Sequence, residues 1–329
     1  MKRKFAAVTA LFIAAVMLCS CGKTVDTLRL GTGNTGGIYY TYGSMIGELY
    51  GSGMSVKSTA GSQANMRLMK EGFVDLAIVQ SDVLSEAVNG TGDFQDEPVE
   101  CVRAVAGLYT EAFQIVVHAD SDINSISDLQ GKRVSVGDEG SGVAKNAEYL
   151  LRSAGLKSTD IVPAYMTYSE SAAALESNDI DAFFVILGTP STVITELAES
   201  TDVRIISIDE RTISYMTNLY QGYYETTIPS GTYKGQDTDI STIGVKAVLT
   251  ANSDIDPTQI EAITAMLFEK GNSIRYTVPV SEPDVDFAVS DIPCSFHSGA
   301  AEYYKSIGVT VNSDNENGSG GYVFGAQDQ

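Results

Sequence analysis

The chain has 329 residues, of which 43% are hydrophobic and 19% are charged, and its formal net charge at pH 7 is −21. So acidic a surface argues against binding to nucleic acid and against direct adhesion to anionic lipid. The length is sufficient for a large hydrophobic core and predicts two domains.

The N-terminus has the pattern of an export signal. Residues 2–4 are basic, and residues 5–18 are almost wholly apolar but fewer than the roughly 20 that a membrane-spanning helix needs. The run ends in Leu18-Cys19-Ser20-Cys21, which resembles a bacterial lipobox with Cys21 as the lipidated residue. We therefore predict a lipoprotein signal peptide over 1–20 and a tether over 21–26. Fatty-acyl chains such as palmitate would anchor the mature protein to the outer face of the cytoplasmic membrane. An ordinary secretory signal is the alternative.

Two similar β-loop-α units follow one another along the chain. The first runs from a predicted strand at 28–31 through the glycine-rich turn 33–37 into a helix. The second runs from a strand at 134–137 through the turn 140–142 into a helix. Similar units indicate two similar lobes, each of which presents the N-terminus of a helix to a shared cleft. Backbone N–H groups at such helix starts attract anions.

The remaining elements continue this alternation. Each unit closes on an aspartate followed by an apolar strand, Asp75 in the first and Asp181 in the second. Further strands are predicted at 56–59, 104–109, 114–118, 203–208 and 243–250. Further helices are predicted after residue 61 and over 82–88, 169–175, 258–270 and 300–307. Strands that alternate with helices predict an α/β fold with a mostly parallel sheet in each lobe.

Two of these strands, near residues 114 and 244, are predicted to cross between the lobes. The first lobe would then comprise residues 27–114 plus 246–312, and the second lobe residues 115–245. The polar, glycine-rich residues 313–329 are predicted to form a flexible tail.

The first glycine-rich turn formally matches the dinucleotide-binding pattern G-x-G-x-x-G over residues 31–36. That pattern also requires an acidic residue about 20 positions further on, and none stands there. An exported protein also has little access to nicotinamide cofactors. We therefore expect no cofactor, and interpret the turn as an anion-binding helix start.

Catalytic and metal-binding signals are weak. Neither His118 nor His297 has a Ser or Cys nucleophile near it in sequence, and no Cys/His cluster has zinc spacing. We expect no metal and no enzymatic activity. Beyond the lipobox, Cys101 and Cys294 could pair as a disulfide outside the cytoplasm, and two buried thiols are the alternative.

A set of motifs in fixed order covers residues 27–311. The motifs are Gly31-Thr32-Gly33 through Tyr39-Tyr40, Gly61-Ser62-x-x-Asn65, Asp75 through Ser81, Asp128 through Gly137, Gly140-Ser141-Gly142, Asp181-Ala182-Phe183-Phe184, and His297-x-Gly299-Ala300 with Tyr303-Tyr304. In this order they resemble the TAXI family of solute-binding proteins, which serve TRAP transporters. Two positions depart from the family pattern, Val143 where Thr is usual and Ser298 where Pro is usual.

The resemblance implies a two-lobed type II periplasmic-binding-protein fold with two crossover segments. It implies a monomeric receptor that captures a small organic acid, such as glutamate or a dicarboxylate, by lobe closure. The partners would be the integral membrane permease subunits of a TRAP transporter. Alternatives are the binding component of an ABC importer and a tethered enzyme that acts on a small anionic substrate.

The ligand is expected to lie between the two glycine-rich turns, with further contacts from nearby helix starts and strand ends. Tyr39, Tyr40 and Phe184 would form walls of the site, although Tyr40 and Phe184 are as readily explained by core packing. The expected ligand-binding residues are Gly33, Asn34, Thr35, Gly36, Gly37, Tyr39, Tyr40, Ser62, Asn65, Gln80, Ser81, Gly140, Ser141, Gly142, Val143, Phe184, Gly188, Thr189 and Pro190.

Overall fold

The computed structural model describes residues 27–313 apart from residues 220, 279 and 283. The predicted signal peptide, the lipidation site at Cys21, the tether and all but the first residue of the predicted tail lie outside the described residues. Within those limits, no helix combines the length and the apolar composition that a membrane crossing requires.

In the described part of the chain, helices flank one ten-stranded sheet. The strands are β1 (Leu28–Gly31), β2 (Met54–Lys57), β3 (Leu76–Gln80), β4 (Val102–His118), β5 (Arg133–Ser135), β6 (Val162–Ala164), β7 (Ala182–Leu187), β8 (Val203–Ile206), β9 (Tyr223–Ile228) and β10 (Ile240–Asn252). The α-helices are α1 (Ile38–Tyr50), α2 (Ser62–Lys70), α3 (Ser81–Asn89), α4 (Gly142–Ser153), α5 (Tyr168–Glu176), α6 (Thr192–Ser200), α7 (Glu210–Leu219), α8 (Pro257–Glu269), α9 (Gly271–Thr277), α10 (Val285–Val289) and α11 (Ser298–Ser306).

The strand order is β2-β1-β3-β10-β4-β7-β5-β6, with β8 paired to β4 and β9 paired to β10. β1 is parallel to β2 and β3, and β5 is parallel to β6 and β7. β4 and β10 are antiparallel to each other and to their other neighbours. The predicted α/β architecture is confirmed. The parallel arrangement, however, holds only for three strands of each half, because the chain crosses between the halves on two long antiparallel strands.

These two long strands change partners part-way. β4 pairs with β10 as far as Ala112 and from there with β7. β10 pairs with β9 as far as Val245 and with β3 from Ala247 onward. We call the part that contains β1 to β3 the first lobe and the part that contains β5 to β9 the second lobe. The partner changes fall close to the predicted boundaries at 114/115 and 245/246, and the full division of the chain stays a prediction.

β4 is one continuous strand where the sequence predicts two, at 104–109 and 114–118. The predicted gap contains Glu111, a charged residue that interrupts an apolar run. In the structure Glu111 is 1% exposed and accepts hydrogen bonds from two tyrosines, so the strand continues through it.

The aspartate that closes each predicted unit makes the same contact in both lobes. Asp75 accepts hydrogen bonds from the backbone N–H, Nε and Nη2 of Arg29 on β1, at 2.7, 2.8 and 2.7 Å. Asp181 accepts from the same three groups of Arg133 on β5, at 2.7, 3.2 and 2.6 Å. Each pair ties the first strand of its unit to the segment that leads into the third strand.

The buried apolar side chains form three clusters. One fills the first lobe and gathers side chains from β1, β3, α1 to α3 and α8. The other two lie on opposite faces of the second lobe, one under α4 and α7 and one under α5 and α6. Each lobe therefore has its own hydrophobic core.

Cys101 and Cys294 are thiols in the structure, so the disulfide that the sequence allows is not formed there. Cys101 lies half-buried beside the first-lobe core, with Sγ 3.9 Å from the carbonyl oxygen of Met69, and Cys294 is buried within that core. Cys294 is therefore a buried thiol, as the alternative expects, whereas Cys101 is only half-buried.

Candidate functional site

A small cavity, of about 50 Å³, lies between the two lobes. The first lobe contributes its lining residues Gly33, Asn34, Gly37, Ile38, Tyr39, Ala60, Gly61, Ser62, Gln80 and Glu111. The second lobe contributes Asp138, Ser141, Gly142, Val143, Tyr168 and Leu187. The lining mixes backbone at helix starts with hydroxyl, amide and carboxyl side chains.

Three helices begin at the cavity. α1 starts after Gly37 and α2 after Gly61, and no side chain caps either start. Gly61 has φ of +105°, a conformation that glycine adopts without the steric cost other residues would carry. α4 starts after Ser141, whose Oγ accepts a hydrogen bond from the N–H of Ala144 at 3.1 Å. Backbone N–H groups at these helix starts give the cavity a positive partial charge that suits the acid group of a ligand.

Direct hydrogen bonds between the lobes close the cleft around this cavity. Asn34 Nδ2 donates to Asp138 Oδ2 at 3.0 Å, and Asn146 Nδ2 donates to Gln80 Oε1 at 3.3 Å. Ser81 Oγ donates to the carbonyl oxygen of Gly222 at 3.0 Å. These contacts join the two glycine-rich turns, the end of β3 to α4, and the start of α3 to the segment before β9, so the structure is that of a closed form.

A buried polar network lies beside the cavity and also joins the lobes. Lys145 of α4 forms an ion pair with Asp82 of α3, and its Nζ lies 3.5 Å from Glu86 Oε2. Asp82 Oδ2 also accepts from Tyr223 at 3.1 Å and from Asn146 at 3.2 Å. The positive charge of Lys145 is thus already matched by carboxylates and is not directed into the cavity.

Glu111 is the most deeply buried carboxyl group of the cavity, since its side chain is 1% exposed. Its Oε2 accepts a hydrogen bond from Tyr39 at 2.9 Å and its Oε1 lies 3.4 Å from the hydroxyl of Tyr109. Burial raises the pKa of Glu111 to about 8, against the lowering effect of hydrogen bonds from Tyr39, Gln80 and Tyr109. Glu111 therefore gains or loses a proton within the physiological range.

Nine of the residues predicted to bind ligand line the cavity. They come from both glycine-rich turns and from two helix starts, and are Gly33, Asn34, Gly37, Tyr39, Ser62, Gln80, Ser141, Gly142 and Val143. Their contact with a ligand stays a prediction.

The other predicted residues lie outside this lining, and several have structural contacts. Asn65 is fully buried and its Nδ2 donates to the carbonyl oxygens of Thr32 and Ile78. Ser81 holds the backbone of β10 as well as Gly222, since its Oγ accepts from the N–H of Lys246. Phe184 packs in the second-lobe core. The remaining predicted residues that are absent from the lining are Thr35, Gly36, Tyr40, Gly140, Gly188, Thr189 and Pro190.

Sequence reasoning missed the cavity residues Glu111, Asp138 and Tyr168. A signal existed for two of them, because Glu111 interrupts an apolar strand and Asp138 directly follows the predicted end of a strand at Gly137. Tyr168 carried no such signal, since it reaches the cavity only through the packing of α5 against the sheet.

Both histidines make structural contacts. His118 Nε2 lies 2.7 Å from the carbonyl oxygen of Leu175, and His297 Nδ1 accepts from the N–H of Gly299 at the start of α11. The described residues hold no group of three or more His, Cys, Asp and Glu placed to bind a metal ion.

Comparison with known families matches the NMT1-like family over residues 30–308, which is most of the chain. The chain belongs to the NMT1-like family. Among curated proteins, this NMT1-like chain is 37% identical over 71 residues to a putative aliphatic sulfonates-binding protein of Escherichia coli (strain K12). That match spans 22% of this chain and 22% of the relative.

Solved structures resemble the NMT1-like chain over most of its length. A protein of Bordetella bronchiseptica RB50 is 16% identical, with 88% of this chain and 84% of that chain covered and a TM-score of 0.52. A putative L-cystine ABC transporter protein from Listeria monocytogenes is 13% identical, with 79% and 99% covered and a TM-score of 0.50. At these identities the likeness establishes the fold, which is that of the periplasmic solute-binding proteins.

Proposed function

We propose that this protein is an exported solute-binding receptor, and that it captures a small organic acid between its lobes. The ligand passes unchanged to a membrane transporter, so the protein is not an enzyme. The observation that carries this proposal is the polar cavity between the lobes, where three helices begin and hydrogen bonds close the cleft. Membership of the NMT1-like family supports it.

Binding would follow from the geometry of the helix starts. The acid group of the ligand lies against the N–H groups that follow Gly61 and Ser141, one helix from each lobe. Each charge-assisted hydrogen bond contributes about 1.5–3 kcal/mol, so a few from each lobe give micromolar affinity, about −8 kcal/mol. Because the contacts come from both lobes, the ligand favours the closed form over an open one.

The transporter that receives the ligand has two candidates. The ordered motifs that resemble the TAXI family favour the permease subunits of a TRAP transporter, with glutamate or a dicarboxylate as ligand. The names of two similar proteins, a putative aliphatic sulfonates-binding protein and a putative L-cystine ABC transporter, favour an ABC importer. Lipidation at Cys21 would keep a monomeric receptor beside either membrane partner.

The test of capture uses the purified protein after bound molecules have been removed. Amino acids, dicarboxylates and sulfonates are screened by thermal shift, and each stabilising compound is measured by calorimetry. Mass spectrometry of the released compound then shows whether it is unchanged. Stabilisation by a small acid that is recovered intact supports the proposal, whereas no stabilisation or a chemically converted compound contradicts it. Uptake into vesicles with candidate permeases then separates the two transporters by their need for ATP.

A further inference from the structure

The charges that line the cavity do not suit a ligand that is purely anionic. Two carboxyl groups face it from opposite lobes, Glu111 on β4 and Asp138 three residues after the end of β5. None of the described lining residues is Lys or Arg. Lys145, beside the cavity, is engaged by Asp82 and Glu86. A dicarboxylate in this cavity would place its negative charges near Asp138 and would keep the buried Glu111 from ionising, and no Lys or Arg of the described lining would offset those charges.

We infer that the ligand carries a protonated amine, which Glu111 and Asp138 recognise, in addition to its acid group. This inference rests on the proposed function and narrows the ligand to a small zwitterion, an amino carboxylate or an amino sulfonate. The acid group lies at the helix starts, and the ammonium group lies between the two carboxyl groups.

The surroundings of Glu111 favour its ionised form once a cation arrives. Both of its oxygens face hydroxyl donors, Oε2 at 2.9 Å from Tyr39 and Oε1 at 3.4 Å from Tyr109. A carboxylate can accept from a donor at each oxygen and still bind an ammonium group, because it has several lone-pair sites. Tyr39 and Tyr168 line the same cavity, and their aromatic rings can add attraction for a cation.

A rival assignment keeps Glu111 protonated and lets it donate to an anionic ligand. The titratable groups that face Glu111 are Tyr39 of α1, Asp82 of α3, Tyr109 of β4, Tyr168 of α5 and Tyr224 of β9. None of them is a cation, and Glu111 retains its proton at pH 7 in the absence of ligand because burial raises its pKa to about 8. An ammonium ligand would displace that proton, whereas an anion would need it to stay. The two assignments therefore predict opposite effects of pH.

The experiment measures calorimetric affinities for three pairs of compounds that differ in the amino group. The pairs are L-glutamate and glutarate, L-alanine and propanoate, and taurine and ethanesulfonate. We expect at least one amine-bearing member to bind at least tenfold more tightly than its amine-free partner. Its affinity should rise between pH 6 and pH 8, with release of a proton on binding.

The matched variant is Glu111→Gln, which keeps the size of the side chain and one acceptor oxygen, but replaces the other oxygen by an NH2 donor and removes the charge. It should weaken binding of the amine-bearing compound at least tenfold. Asp181→Asn removes a carboxylate outside the cavity and should leave affinity unchanged. Asp138→Asn is a less clean test, because Asp138 also holds Asn34 of the other lobe.

Several outcomes would overturn the inference. They are tighter or equal binding of the amine-free members, affinity that falls as pH rises to 8, and affinity that Glu111→Gln does not alter. Amine-free acids that bind and return intact would leave the proposed receptor function standing while the inference fails. If no compound in the panel bound, the inference would be rejected, and the wider screen would decide whether the receptor function fails with it.

Discussion

Lys145 of α4 forms an ion pair across the cleft with Asp82 of α3, and only 3% and 2% of these two side chains are exposed. An ion pair buried this deeply has lost its hydration and depends on its partner. In an open form the two lobes separate and both charges would return to water. The stability of the closed form therefore depends on Lys145 and Asp82 being present together.

We expect Lys145→Met to shift the protein toward an open form and to weaken ligand binding at least tenfold. The substitution leaves Asp82 buried without its cation, and such a loss costs about 3–5 kcal/mol when one partner of a buried pair is removed. Small-angle X-ray scattering measures the opening as a larger radius of gyration, and calorimetry measures the affinity.

The matched control on the same helix is Arg152→Met, which breaks an exposed pair with Glu148. An exposed i,i+4 pair contributes about 0.3–0.5 kcal/mol, so this variant should keep the radius and the affinity of the unmodified protein. Equal effects of the two substitutions would show that the buried pair does not control closure.

A substitution at Gly142 gives a second test of cleft closure, because it adds bulk between the lobes instead of removing an ion pair. A Cβ atom at Gly142 would lie 1.8 Å from Oε1 and 2.8 Å from Cδ of Gln80, which belongs to the opposite lobe. We expect Gly142→Val to prevent closure, to enlarge the radius of gyration and to weaken ligand binding at least tenfold, with Ser141→Ala adding to the loss. Far-UV circular dichroism should stay unchanged, because the clash lies between the lobes.

Gly33→Ala is the control for this variant. It adds a methyl group to the same cavity, but the nearest atom, Cβ of Tyr39, lies at an ordinary 3.6 Å. The cleft should therefore still close in scattering measurements. A normal radius and full affinity in Gly142→Val would contradict the assignment of the cavity as the binding site.

The sequence was sufficient to place the two glycine-rich turns at the site, because the position of such a turn depends on the strand before it and the helix after it. The turn 33–37 and the turn 140–142 each follow a parallel strand and precede a helix, and such turns lie at the carboxyl edge of the sheet. Nearby polar residues were harder to assign. Asn65 and Ser81 stand at a helix start and a strand end, as ligand-binding residues do, yet their side chains bind the backbone.

Glu111 could not be assigned from the sequence, because its position depends on pairing between distant strands. β4 continues past Ala112 and changes its partner from β10 to β7, and this pairing brings Glu111 to the cleft. The same residue broke the apolar pattern from which the strand was predicted. Its charge was therefore both the reason for the missed strand segment and the missed signal of the site.

The two cysteines should behave as independent thiols. We expect alkylation under denaturing conditions without reductant to modify both Cys101 and Cys294, as peptide mass spectrometry would measure. In the folded protein Cys101 should react slowly, because burial raises its pKa and lowers the fraction of thiolate. Recovery of a peptide in which the two residues are linked would contradict the structure.

The Asp75–Arg29 and Asp181–Arg133 pairs should stabilise the folded protein at pH values at which both aspartates are ionised. Burial raises the pKa of Asp75, but hydrogen bonds and the charge of Arg29 outweigh it and leave this pKa below its ordinary value of 3.8. We expect Asp75→Asn to lower the free energy of unfolding by about 1–2 kcal/mol at pH 7. The difference from the unmodified protein should shrink as pH falls from about 4 through the lowered pKa of native Asp75, because the unfolded chain takes up the proton first and the native carboxylate follows.

Urea titrations at pH 7 and pH 3 measure this effect. Asp181→Asn serves as the comparison, because the equivalent pair in the second lobe is more exposed, with 46% of Arg133 and 30% of Asp181 accessible, against 38% of Arg29 and 19% of Asp75. It should cost less stability than Asp75→Asn. Equal losses at pH 7 and pH 3 would show that the charge of Asp75 does not contribute.

The titration of Glu111 should have the opposite effect to that of Asp75, because it should make the ligand-free protein less stable as pH rises. Its pKa is raised by burial from an ordinary 4.5 to about 8. Between these values the unfolded chain loses the proton while the folded protein keeps it, so this group lowers stability as pH rises from 5 to 8. Glu111→Gln removes this titratable group. The melting temperature of the variant should therefore exceed that of the unmodified protein by more at pH 8 than at pH 5. Since 1 kcal/mol corresponds to about 1.5–2 °C for a chain of roughly 300 residues, we expect a relative gain of at least about 3 °C in differential scanning calorimetry. The same change in melting temperature at both pH values would show that Glu111 is already ionised in the empty cleft, and would remove the proton release that amine binding is expected to cause.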